Sequence, residues 1–132
     1  VDFGTATTFD VVDHDGAYVG GVIAPGVNLS LQALHQMAAA LPHVDIAKPK
    51  EVIGRNTVSC MQSGVFWGYI GLVKEICKKI KEEKKEAMRI VATGGLAPLL
   101  QSTEALFEDV EENLTMHGLR LIFDHNKNID SL

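Results

Sequence analysis

Asp2-Phe3-Gly4-Thr5-Ala6-Thr7-Thr8 sets a carboxylate two residues ahead of a glycine and a run of hydroxyls. Glycine lets backbone come close to a ligand and takes φ values closed to other residues. Threonine hydroxyls and neighbouring N–H groups can hold phosphate oxygens, while a strand-end carboxylate can hold a cation. The same letters also describe a threonine-rich strand with a bulge at Gly4. Gly94-Gly95 follows a short apolar run and precedes a helix start. Strand, Gly-Gly, helix brings backbone against a flat or charged ligand, and the helix N-terminus favours anions; a tight turn is the plainer account. Gly54-Arg55-Asn56-Thr57 opens a long helix. Asn or Thr is ordinary capping chemistry there, yet the hydroxyl and open N–H groups also suit a small polar ligand. Arg55 reads as a surface charge, and Gly20 to Gly26 as bulge and turn residues.

Other chemistries find little support. Cys60 and Cys77 lie far apart without a CxxC, and read as buried or half-buried thiols. His14, His35, His43, His117 and His125 show no HxH or HxxxH spacing, which argues against zinc. The formal charge of 12 − 17 = −5 argues against non-specific nucleic-acid binding. An acidic chain can still bind ATP through backbone N–H groups, a helix N-terminus or a bound cation. No apolar run is long enough to span a bilayer.

These residues need elements to hold them, and 132 residues are enough for one domain with a core. Val1 to Val12 reads as a strand broken by the polar Gly4–Thr8 turn. Asp13-His14-Asp15-Gly16 is a hairpin turn, Asp-Gly tolerating the positive φ it needs. Tyr18 to Ala24 is the return strand, ended by Pro25-Gly26. Asn28 or Ser30 is expected to cap a helix to about Leu41, and Pro42 to Gly54 to be irregular. Asn56 or Thr57 caps the longest helix, with Val58, Met61, Val65, Tyr69, Leu72, Ile76 and Ile80 on its apolar stripe. Lys78 to Glu86 reads as its solvated end and a loop, and Trp67 and Tyr69 as core or subunit interface. Met88 to Thr93 is a short strand, a helix starts at Leu96, and Asp109 to Asn113 is an acidic loop. Thr115 is expected to cap a last helix through Leu119 to Phe123. Strands alternating with helices predict an α/β layered fold.

In order along the chain, several segments resemble one family. They are Asp2 to Thr8, Gly20 to Gly26, Ile53-Gly54-Arg55-Asn56-Thr57, Gln62-Ser63-Gly64 with Trp67-Gly68, Ala92-Thr93-Gly94-Gly95-Leu96-Ala97, and Leu114 to Arg120. This pattern is similar to that of the type III pantothenate kinases over essentially the whole chain. The resemblance implies a ribonuclease-H-like or actin-like ATPase fold, with residues 1–132 forming the second, C-terminal of two duplicated half-domains. It implies ATP-dependent phosphorylation of pantothenate, the first committed step of coenzyme A synthesis, with magnesium and potassium or ammonium. By position, Gly4, Thr5, Gly94 and Gly95 would bind ATP, Asp2 the monovalent cation, and Thr57 pantothenate. A cytoplasmic homodimer is implied as well.

The resemblance also calls for an N-terminal half carrying a first phosphate loop of Asp-x-Gly-Asn-Thr type and a Gly-x-Asp-Arg segment with the catalytic aspartate. This sequence has neither, and Asp10, Asp13 and Asp15 lie in no matching motif. The opening Val1-Asp2-Phe3-Gly4 moreover reads as a core strand with nothing ahead of it, so the expectation is a piece of a longer enzyme, inactive alone. Two rivals stand beside this reading: a sugar or acyl kinase of the same fold, and a non-catalytic nucleotide-binding or regulatory module.

Overall fold

Residues 1–38, 41–103 and 105–129 are described by a computed structural model. β1 (Asp2–Phe3), β2 (Ala6–Val12) and β3 (Tyr18–Pro25) form an antiparallel sheet in that order. Thr7 and Phe9 alternate inward along β2, and Phe3 lies opposite Thr7, so one face of the sheet is built for a core. The β2–β3 turn forms as its sequence requires. Gly16 takes φ 81°, and the Asp13 carboxylate accepts from the N–H groups of Asp15 and Ala17.

A second pair, β4 (Val91–Ala92) and β5 (Asp109–Val110), is parallel. Backbone joins the two sheets: Phe3 N–H donates to Thr93 O and Thr93 N–H to Val1 O, both at 2.9 Å. Asp2 and Thr93 bridge in parallel, so the strands run β3-β2-β1-β4-β5. The expected strand over Met88 to Thr93 is thus shorter than its apolar letters suggest. The expected acidic loop, in turn, contains β5. Glu108 contributes to that pairing: its carboxylate accepts from Ile90 N–H at 2.6 Å, which holds its pKa below the usual carboxylate range.

α1 (Val27–Met37) starts earlier than the Asn28 or Ser30 cap would have it, and ends before Leu41. Its N-cap is Gly26, with no side-chain cap. Ser30 has other work: Tyr69 Oη donates to Pro25 O at 2.7 Å, which leaves Ser30 Oγ to donate to Tyr69. α2 (Thr57–Lys84) begins with a reciprocal capping box between Asn56 and Ser59. The helix takes in most of the lysine–glutamate run read as end and loop, where Lys79 pairs with Glu75 and Glu82 at 3.7 and 3.0 Å.

α2 buries two stripes rather than one. Val65 and Tyr69 pack on Val27 and Leu31 of α1. Phe66, Ile70, Val73 and Cys77 pack on the sheet with Phe3, Phe9 and Ala92. The expected stripe kept Met61, Val65 and Tyr69 but continued through Leu72, Ile76 and Ile80, which are only partly buried. The difference is geometric: a helix wedged between another helix and a sheet turns two adjacent faces inward, and a single period marks only one. α3 (Ala97–Gln101) sits close behind Gly94-Gly95 as expected. α4 (Leu114–Ile129) starts at Leu114, so Thr115 lies inside it rather than at its cap.

Candidate functional site

The strand ladder determines what meets at one end of the sheet. β1 leads into Gly4-Thr5, β2 leaves from it, and β4 runs parallel to β1 into Gly94-Gly95. Gly94 takes φ 91°, and a Cβ there would lie 2.6 Å from Phe3 O and 2.8 Å from Asp2 Oδ1. The Gly-Gly turn therefore lies directly on β1 and its carboxylate. Asp2 is half-buried, while Gly4, Thr5 and Gly95 are exposed, so the floor of this end is open backbone around one acid.

Gly26 completes the arrangement, and the sequence reading missed its part. A Cβ on Gly26 would lie 2.0 Å from Thr5 O, so α1 begins against the Gly4-Thr5 loop. With no side chain capping α1, its first-turn N–H groups are left for solvent or a ligand at this end. Pro25-Gly26 was the available signal, but polar Asn28 and Ser30 drew the expected helix start downstream.

Thr57 is not part of this cluster's contacts. It is the first residue of α2, exposed, and Asn56 rather than Thr57 supplies the capping oxygen. Its hydroxyl is thus not needed by the helix. Gly54 beside it is explained by packing: a Cβ there would come within 2.4 Å of Cys60 N. Arg55 is exposed and faces Glu51 at 3.5 Å, the surface charge its sequence suggested.

The remaining candidates stay clear of this end. His35 Nδ1 lies 2.7 Å from Leu41 O on an exposed surface. Cys77 is buried as expected, but Cys60 is exposed in the first turn of α2. Trp67 is half-buried edge-on to Phe66, with ring centroids 5.3 Å apart. Among the described residues no three His, Cys, Asp or Glu side chains gather as a metal cage.

A family model described as Type III pantothenate kinase matches residues 1–79. The chain belongs to the type III pantothenate kinase family. That match takes in Asp2, Gly4, Thr5 and Thr57. Type III pantothenate kinases of Roseobacter denitrificans and Ruegeria pomeroyi are each 74% identical over 127 residues, and that of Paracoccus denitrificans 68% over 127. Those alignments cover 96% of this chain and therefore span Gly94 and Gly95 too, but they cover 49% of each relative. The chain spans about half the length of the curated relatives it matches. A crystal structure from Campylobacter jejuni, described under the Baf family of transcriptional activators, superposes with TM-score 0.67 at 22% identity. It covers 96% of this chain and 57% of that one, and it supports the fold alone. Among the described residues no helix is long and apolar enough to cross a membrane.

Proposed function

We propose that this chain is the C-terminal, nucleotide-facing half of an enzyme that phosphorylates the hydroxyl of pantothenate with ATP, the first committed step towards coenzyme A. The reading rests on the convergence of Asp2, Gly4-Thr5, Gly26 and Gly94 at one sheet end, in a chain of this family. ATP phosphates lie over Gly4 and Thr5, adenosine against Gly94-Gly95, and pantothenate near Thr57. Magnesium comes with ATP and is held mainly by phosphate oxygens. Potassium or ammonium at Asp2 supplies positive charge between carboxylate and phosphate, which otherwise repel in a partly dry site.

The strand order, antiparallel from β3 to β1 and parallel from β1 to β5, supports a ribonuclease-H-like, actin-like domain, the second of two. ATP then lies in the cleft between halves, and the other half brings the first phosphate loop and the general base. A homodimer fits α2, whose Gly64, Gly68 and Gly71 are exposed with no atom near their missing side chains.

Asp2→Asn tests the cation assignment in the complete enzyme. Replacing sodium by potassium or ammonium should raise activity on the order of tenfold, the equivalent of about 1.4 kcal/mol of charge interaction. Asp2→Asn should flatten that response. An Asp2→Asn enzyme that keeps the full potassium dependence refutes the assignment.

Thr57→Val tests the substrate assignment. Losing one hydrogen bond, about 1 kcal/mol, should raise the KM for pantothenate roughly fivefold and leave that for ATP unchanged. Because Asn56 holds the cap, the melting temperature should stay put. Equal effects on both substrates, or a purely thermal defect, would favour a structural role.

A further inference from the structure

Tyr69 is buried on the face of α2 that packs on α1, against Val27, Leu31 and Val65. A phenylalanine ring would fill that place equally well, so packing does not account for the hydroxyl. A buried phenol O–H needs partners, and this one has two. Tyr69 Oη donates to Pro25 O and accepts from Ser30 Oγ, each at 2.7 Å. Pro25 ends β3, and Ser30 closes the first turn of α1, its N–H donating to Gly26 O at 3.0 Å. One atom of α2 therefore holds both sides of the β3–α1 junction. The peptide joining Pro25 to Gly26 is planar. Fixing its carbonyl from α2 fixes the direction in which Gly26 leaves the strand.

That direction decides what reaches the Gly4-Thr5 loop. Pro25 lies opposite Ala6 in the β2–β3 ladder, next to Thr5 in the chain. A Cβ on Gly26 would lie 2.0 Å from Thr5 O and 3.0 Å from Gly4 O, so the junction already touches the loop. No side chain caps α1 at Gly26, and the start of the helix is set from α2 instead. We propose that Tyr69 is a positioning residue for phosphoryl transfer, an inference that rests on the kinase reading of this loop. Through Pro25 and Gly26 it holds the first-turn N–H groups of α1 at Gly4-Thr5, where they meet the ATP phosphates. The pull of a helix N-terminus on an anion fades within the first turn, so a small shift of the junction weakens it. Tyr69 itself touches neither substrate.

The test compares three substitutions in the complete enzyme, each assayed with ATP and pantothenate and melted alongside the parent. Tyr69→Phe keeps the ring and removes the bond to Pro25 O. Its kcat/KM for ATP should fall roughly tenfold, with the KM for pantothenate held within about twofold. Ser30→Ala leaves the Pro25 bond in place and should cost less than about threefold. Val73→Ala opens a cavity in the sheet-side core, away from the junction. It should lower the melting temperature at least as far as Tyr69→Phe and leave kcat/KM for ATP unchanged. Parental kcat/KM in Tyr69→Phe, or an equal loss in Val73→Ala or Ser30→Ala, overturns the proposal. A parent enzyme that moves no phosphate to pantothenate refutes the kinase reading itself, and the positioning role falls with it.

Discussion

Gly94→Ala is expected to destabilise the protein strongly, and Gly95→Ala beside it hardly at all. Gly94 takes φ 91°, a region that costs a side-chain-bearing residue about 1–3 kcal/mol. Its new Cβ would also stand 2.6 Å from Phe3 O and 2.7 Å from Phe3 C, backbone atoms of the strand that joins the two sheets. Overpacking of that kind costs a further ~1–3 kcal/mol. For a domain of this size each kcal/mol shifts the melting temperature by roughly 2–8 °C, so a drop of about 10 °C or more is expected. Gly95 has no atom within 4 Å of its missing Cβ and a φ open to any residue. The pair separates structure from binding. If Gly95 touches adenosine, Gly95→Ala in the complete enzyme should raise the KM for ATP without moving the melting temperature. A Gly94→Ala protein as stable as the parent would contradict the close approach of the turn to Asp2.

Much of the fold was legible because local rules and tertiary packing agree. Asp13 to Gly16 made its turn, Asn56 capped α2, and α3 followed Gly94-Gly95 closely. Where they disagreed, pairing and packing prevailed. Met88 and Ile90 flank Arg89 with apolar side chains and suggest a strand, yet the ladder admits only Val91–Ala92. Asp109–Val110 looks like loop and pairs because β4 offers it an edge. Gly26 begins α1 where no side chain announces a cap, since the junction must clear Thr5 O.

The site was legible to a different degree. The segment Asp2 to Thr5 and the Gly94-Gly95 pair are each weak signals alone, and their meeting depends on β1 pairing with β4 across 90 residues of chain. No local pattern encodes that contact. Thr57 shows the converse. The letters offered Asn56 or Thr57 as the cap, and the structure gives that role to Asn56.

We propose that this chain supplies one wall of a phosphoryl-transfer site and that the general base comes from the other half. Asp10, Asp13 and Asp15 are badly placed for that role. Thr8 Oγ donates to Asp10 on β2, Asp13 ties the hairpin turn, and Asp15 faces His14. From Ala6 beside the loop to Val12 is six steps of strand, so the hairpin lies ~20 Å from Gly4-Thr5. A positioned general base contributes about 10²–10⁴-fold, and a cleft with one wall also loses the orientation on which phosphoryl transfer depends. The direct measurement is phosphate transfer from ATP to pantothenate, with magnesium and potassium, by this chain alone and after adding the separately expressed N-terminal half. The expected result is no turnover above background alone and a rise of at least about 10⁴-fold on complementation. Robust turnover by the chain alone would contradict the account.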